Sequence, residues 1–172
     1  MKQITIREFI ETELCGSIKQ TMENHPYFAF GAIANAIELL GNCMDSCDWN
    51  KTRLSKERFN NAIKTLPSLK KYQTADLYLN LRCGMAHMIA PTSSLRLADK
   101  EGEYNPQTKT LHIETFYADF NAACQYLISN PALWGNEKSP ETIWWEVYEV
   151  EKGAPTGSTM DNKTEQSHSI EQ

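Results

Sequence analysis

Apolar residues open the chain at four-residue steps, Ile6, Ile10, Leu14, Ile18 and Met22, a spacing that draws one slowly drifting stripe along a helix. Thr5-Ile6-Arg7-Glu8 stands at its head in the form of a capping box. His25-Pro26 is predicted to end the first helix or to open the next element, because the residue before a proline is pushed out of the helical region. Over residues 27–44, Phe30, Ile33, Ile37, Leu40 and Met44 repeat at spacings of four and three, flanked by Asn35, Glu38 and Asn42. That is a second helix with one face in a core. A third is expected near Ser55, with Ser55 as its cap and a Leu54–Phe59 staple, turning Phe59, Ile63 and Leu66 inward before Pro67.

The fourth predicted helix covers about residues 74–89 and stops at Pro91. Leu77, Leu81, Met85 and Met88 form one apolar stripe, and Leu79, Cys83 and Ala86 lie roughly opposite. A helix apolar on two sides is expected to sit between its own bundle and a second body. After Pro91 the period changes to two: Leu95 and Leu97 alternate with Ser94 and Arg96, and Leu111 and Ile113 with Thr110 and His112. Gly102 and Asn105-Pro106 supply turns between these two short strands. A fifth helix, about residues 115–129, aligns Phe116, Phe120, Ala123 and Leu127 and ends at Asn130-Pro131. Residues 143–150, with Trp145 and Val147 alternating against Trp144, Glu146 and Tyr148, predict a third strand. The expected class is mainly α (α+β): an antiparallel bundle of four to five helices, with a small β-hairpin or three-stranded sheet after Pro91.

At 172 residues this is one domain, residues 1–150, followed by a polar tail, residues 151–172, whose large aliphatics are Met160 and Ile170. Such a tail buries too little to offset its ordering entropy and is expected to be flexible. The net charge of -5 argues against affinity for nucleic acid through a broad basic surface, although a small site could still bind RNA locally. Cys15, Cys43, Cys47, Cys83 and Cys124 sit inside apolar, helix-like stretches, so they are expected to be reduced core thiols. With charges scattered over residues 1–14 and no span of membrane length, a cytoplasmic protein without a membrane partner is expected.

Candidate chemistry concentrates in the fourth helix. Leu81-Arg82-Cys83-Gly84-Met85-Ala86-His87 places a permanent cation five residues before a side chain that titrates near neutral pH. On an ideal helix the two lie about 140° apart and flank a face kept low by Cys83, Gly84 and Ala86. A phosphodiester, or a second copy of the helix, could approach between them. The pair suits RNA cleavage by the 2′-hydroxyl: imidazole takes the proton and guanidinium stabilises charge on phosphate oxygens, with no metal or cofactor required. The structural alternative has Arg82 snorkelling from a core helix and His87 resting near the carbonyls of a helix end.

The run Asp76-Leu77-Tyr78-Leu79-Asn80-Leu81-Arg82-Cys83-Gly84-Met85-Ala86-His87 resembles the signature helix of the HEPN superfamily, an Arg followed after four to six residues by a His. Ala36-Ile37-Glu38-Leu39-Leu40-Gly41 also resembles an early helix of such proteins, and the likeness covers about residues 27–91. The resemblance implies a helical bundle, commonly a homodimer, with two copies of Arg82 and His87 meeting as a metal-independent endoribonuclease site. It further implies Glu38 as the group orienting Arg82, Leu79, Cys83 and Ala86 as interface positions, and a toxin or defence setting with an antitoxin-like protein partner. The position after the Arg is often polar in active members and here is Cys83. The alternative is a non-catalytic HEPN-like module that binds RNA, a nucleotide or a protein.

Other constellations are thinner. Cys43 and Cys47 stand four apart, but no second Cys pair or His-x-x-x-His completes a zinc site, and no glycine-rich phosphate loop is present. Trp134, Trp144, Trp145 and Tyr148 could stack on bases, or else form core or interface.

Overall fold

Thr5 caps the first helix reciprocally: its hydroxyl accepts from the Glu8 amide at 3.1 Å, and the Glu8 carboxylate accepts from the Thr5 amide at 2.8 Å. The computed structural model describes residues 2–92, 94–135 and 142–145. The predicted tail and residues 146–150 of the predicted third strand lie outside them. A short strand, β1 (Lys2–Thr5), leads into α1 (residues 6–24), in which Ile6–Glu8 and Cys15–Asn24 are α-helical and Phe9–Leu14 is a π-helical stretch between them. Four-residue spacing drifts by about 40° per step on an α-helix. A π turn takes up more residues and rotates the stripe back. Ile6, Ile10 and Ile18 are accordingly all buried, with Leu14 and Met22 packed against the core.

Pro26 starts α2 (Pro26–Met44), ten of whose residues are buried, from Ala29 and Phe30 to Gly41 and Cys43. It packs against α1, α3 (Ser55–Thr65), α4 (residues 78–88) and α5 (Ile113–Ser129), so the other helices are arranged around it. The closest approach is to α3, where a Cβ on Gly41 would collide with the Arg58 carbonyl. Phe30 stacks on Phe116 of α5 with ring centroids 6.1 Å apart, and Phe116, Phe120, Ala123 and Leu127 are fully buried as their spacing predicts. The chain is thus mainly helical. No helix among the described residues is long and apolar enough to cross a membrane.

Several local expectations are corrected. Leu54, not Ser55, is the cap position of α3 and makes no side-chain cap bond; the Arg58 amide is satisfied by the Leu54 carbonyl at 2.8 Å. Ser55 is already helical, so its capping role does not form. The fourth helix does not begin near residue 74. Pro67–Ala75 is a 3-10 segment, Asp76 adopts a left-handed conformation (φ 45°), and α4 follows as a π-helical stretch, Tyr78–Cys83, and an α segment, Gly84–Met88.

The β segments pair differently from the predicted hairpin or three-stranded sheet. β2 (Arg96–Ala98) and β3 (Thr110–His112) run parallel, in register from Arg96 opposite Thr110 to Ala98 opposite His112. The chain reverses once more between them: Asn105 bridges Thr110, and its side-chain oxygen accepts from the Gln107 and Thr108 amides, making a tight turn of its own. That second reversal brings β3 back in the direction of β2. β4 (Thr142–Trp145) pairs antiparallel with β1, giving two separate two-stranded sheets among the described residues.

Between α2 and α3 the chain is held by Arg58. Its side chain, 7% exposed, donates to Asp45 Oδ2 at 2.8 Å and to the carbonyls of Asp48, Trp49 and Lys51. Burial pushes the Asp45 carboxyl up, but hydrogen bonds from Arg58 and the Cys47 amide, with the Arg58 charge, outweigh this and hold it below the usual carboxylate range. Asp45 therefore stabilises the fold fully above the pKa it has in the unfolded chain, and the contribution fades as pH falls through its lowered value. Removing one partner of a buried pair costs about 3–5 kcal/mol. Arg58→Met is expected to lose that much in urea unfolding at neutral pH, with the gap to the parent narrowing below about pH 4. Equal stability at neutral pH would contradict the clamp.

Candidate functional site

α4 is fixed at both ends by one buried polar residue on its inner side. Asn80 donates through Nδ2 to the Ala75 carbonyl at 2.9 Å, and its Oδ1 accepts from the Thr92 hydroxyl at 2.6 Å. Its carbonyl also accepts from the Thr92 amide at 2.9 Å. A buried amide with both ends satisfied ties the entry of α4 to the segment that leaves it, and omitting either bond would cost about 1–3 kcal/mol. Leu77, Leu81 and Met85 fill the core on the same side, their four-residue spacing accommodated by the π turn. Met88, expected on this stripe, is instead 63% exposed, because the helix ends there.

The termination is strained. Ile89 lies in the left-handed region (φ 55°, ψ 25°), where a β-branched side chain costs about 1–2 kcal/mol and glycine is usual. Its carbonyl accepts from the Tyr27 hydroxyl at 2.7 Å, and the Ile89 and Ala90 amides both point to the Gly84 carbonyl. A Cβ on Gly84 would collide with the Ala90 carbonyl, so this glycine lets the outgoing chain fold back against α4.

Arg82 sits in the π turn and reaches α2, where its Nε donates to Glu38 Oε2 at 2.7 Å. Both side chains are about four-fifths buried, at 22% and 20% exposed, where a charge-assisted bond is stronger than at the surface. The guanidinium also lies 6.0 Å from the Tyr78 ring, and burial, followed by the neighbouring Cys83, pushes the Tyr78 phenol up. The terminal nitrogens of Arg82 make no hydrogen bond among the described residues. His87, one and a half turns further on, is exposed and engages no partner among them. The structure thus brings Glu38 and Arg82 together, with His87 beyond that pair on the same helix. Of the expected interface positions, Leu79 (54% exposed) and Ala86 are open to solvent and Cys83 is half-buried; Phe28, Met88 and Ile89 are further exposed apolar residues.

A cavity of about 250 Å³ adjoins the pair, lined by Asn35, Glu38, Asn42, Trp49, Arg58 and Arg82. The side-chain oxygen of Asn42 is buried there without a hydrogen-bond partner among the described residues. On the far side of Arg58 opens a larger cleft of about 710 Å³ between the end of α2, the loop at residues 45–54 and α3.

The remaining candidates are dispersed. Cys43 is in the core, where burial pushes its thiol up to about 12, whereas Cys47 lies beyond the end of α2 with Lys51 Nζ 3.6 Å from its sulfur. No group of three or more His, Cys, Asp or Glu side chains poised for a metal occurs among the described residues. Trp134 packs against the core and donates its indole N–H to the Leu127 carbonyl at 3.0 Å, so it is not a free stacking surface. Trp144, Trp145 and Tyr148 fall outside the residues whose side chains are described. Asn80 escaped the sequence reading; its signal was one amide inside an otherwise apolar run from Leu77 to Leu81.

No family model matches the chain, and neither a curated protein nor a solved structure matches it significantly.

Ile89 offers a direct test of how the end of α4 is held. Because its side chain is exposed and its backbone left-handed, Ile89→Gly is expected to be neutral or to stabilise by about 1 kcal/mol, against the usual penalty for glycine. A loss above about 1 kcal/mol in chemical denaturation would show that the side chain, not the backbone, governs this turn.

Proposed function

We propose that this chain is a metal-independent endoribonuclease of HEPN type, acting as a homodimer with Arg82 and His87 as its catalytic residues and Glu38 positioning Arg82. The observation that carries the reading is the 2.7 Å Arg82–Glu38 contact: it holds a guanidinium at a defined place on the helix that also carries the exposed His87. With Nε committed to Glu38, the terminal nitrogens are left to bind phosphate oxygens.

In this reading His87 accepts the proton of an RNA 2′-hydroxyl, and the oxygen attacks the adjacent phosphorus. Arg82 stabilises the negative charge gathering on the phosphate oxygens. The bond to the 5′-oxygen breaks, that oxygen is protonated by the imidazolium of the second copy, and a 2′,3′-cyclic phosphate remains. The exposed residues Leu79, Met88 and Ile89 favour a second body over α4, whether a second copy or, in a toxin or defence setting, an antitoxin-like protein. One observation favours the alternative of a non-catalytic module for RNA, a nucleotide or a protein: Cys83, not a polar residue, follows Arg82.

The test is incubation of the parent and His87→Ala with a mixed RNA pool in EDTA, followed by mapping of end groups. Since His87 is exposed, the variant is expected to melt with the parent while losing cleavage by at least about 100-fold. Cyclic-phosphate ends from both proteins would end this mechanism. Binding without cleavage by the parent would move the reading to the module.

A further inference from the structure

The acidic balance of the chain conceals a basic segment. Seven of its 17 Lys and Arg lie between Lys51 and Lys71, with Glu57 the one acidic residue among them; ten basic and 21 acidic residues make up the rest. Four of the seven line the 710 Å³ cleft beside α3 with the amides of Asn60 and Asn61: the buried Arg58, paired with Asp45, and three others, Arg53, Lys56 and Lys64. All three are exposed, and none forms an ion pair among the described residues. Asp45, an acidic residue of the same wall, is already taken by Arg58, which leaves Glu57 as the opposing charge.

Two further observations point to a ligand. Arg53 is held at φ 70°, a left-handed conformation that a residue other than glycine adopts at a cost and that is concentrated at ligand clamps. The cleft also adjoins the cavity beside Arg82, since Arg58 lines both. Cations left unpaired in a concave surface repel one another and focus a positive potential, which a polyanion relieves.

We propose that this cleft binds the phosphate backbone of single-stranded RNA, with Arg53, Lys56 and Lys64 contacting phosphates of the strand whose scissile phosphate lies at Arg82. The assignment rests on the RNA-directed reading of the Arg82–His87 site and adds to it a track for the flanking nucleotides. Phosphate contacts carry no base information, so the track sets affinity and register and leaves sequence choice to other groups.

The experiment measures binding of a short, labelled, mixed-sequence single-stranded RNA by fluorescence anisotropy as salt is raised, using His87→Ala protein so that the probe stays intact. Each phosphate contact on a single strand contributes about 0.7 to the slope of log affinity against log salt, so Arg53→Gln/Lys56→Gln/Lys64→Gln should lower that slope by about two. Between about 50 and 200 mM salt, the protein with the cleft intact should then lose about twenty-fold more affinity than the triple variant. A control carrying Lys19→Gln and Lys100→Gln, exposed lysines away from the cleft, should keep the full slope. An unchanged slope in the triple variant, or an equal fall in the control, overturns the track. If the triple variant in the His87-intact background also cuts RNA like the parent, the catalytic reading survives that outcome. Absence of RNA binding even at low salt overturns both.

Discussion

The arrangement depends on α2 being buried along nearly its whole length. A helix enclosed by four others leaves few positions for a charge, and a carboxylate on its flank needs a partner that comes with the packing. Glu38 finds it in Arg82, so the contact that secures α4 against α2 is also the one that sets the guanidinium. Gly41 contributes from the other side: its missing side chain lets α3 approach until the Arg58 carbonyl touches α2, and Arg58 then gathers the loop that joins them. The same two helices thereby shape the cavity next to Arg82 and the cleft beyond it.

α4 combines fixed backbone with exposed chemistry. Asn80 locks its inner side and Gly84 admits the returning chain, while the strained Ile89 and its bond from Tyr27 define where the helix stops. His87 stands two residues before that stop, on a surface with unburied apolar neighbours. Rigid support beneath and an open face above are what a site completed by a second body requires.

Much of the helical framework was legible because it is written in local periodicity: the stripes of α1, α2 and α5 and the Thr5 capping box each involve residues within a few turns of one another. The departures come from features that periodicity does not encode. Four-residue spacing is the same whether the backbone is α or π, so the π turns in α1 and α4 were hidden in correct stripes. The left-handed Asp76, which delays α4, leaves no mark in the hydrophobic pattern. Strand pairing is non-local, and neither the parallel β2–β3 pair nor the β1–β4 pair could be read from alternation alone. Arg82, His87 and Glu38 were singled out as candidates from a motif and a likeness, whereas the Asn80 clamp needed three dimensions. The basic segment at residues 51–71 was present in the sequence throughout and was averaged away by the net charge.

The account turns on the shape of the cation at position 82 as well as its charge, and Arg82→Lys separates the two. Lysine keeps the positive charge but cannot hold Glu38 with one nitrogen and present a planar pair of donors to phosphate with the others. RNA end-group mapping in EDTA, with binding followed as salt is varied, is the measurement. The predicted result is loss of cyclic-phosphate products with an unchanged salt slope; cleavage by Arg82→Lys at the parent's rate would contradict the central role given to the Glu38–Arg82 geometry.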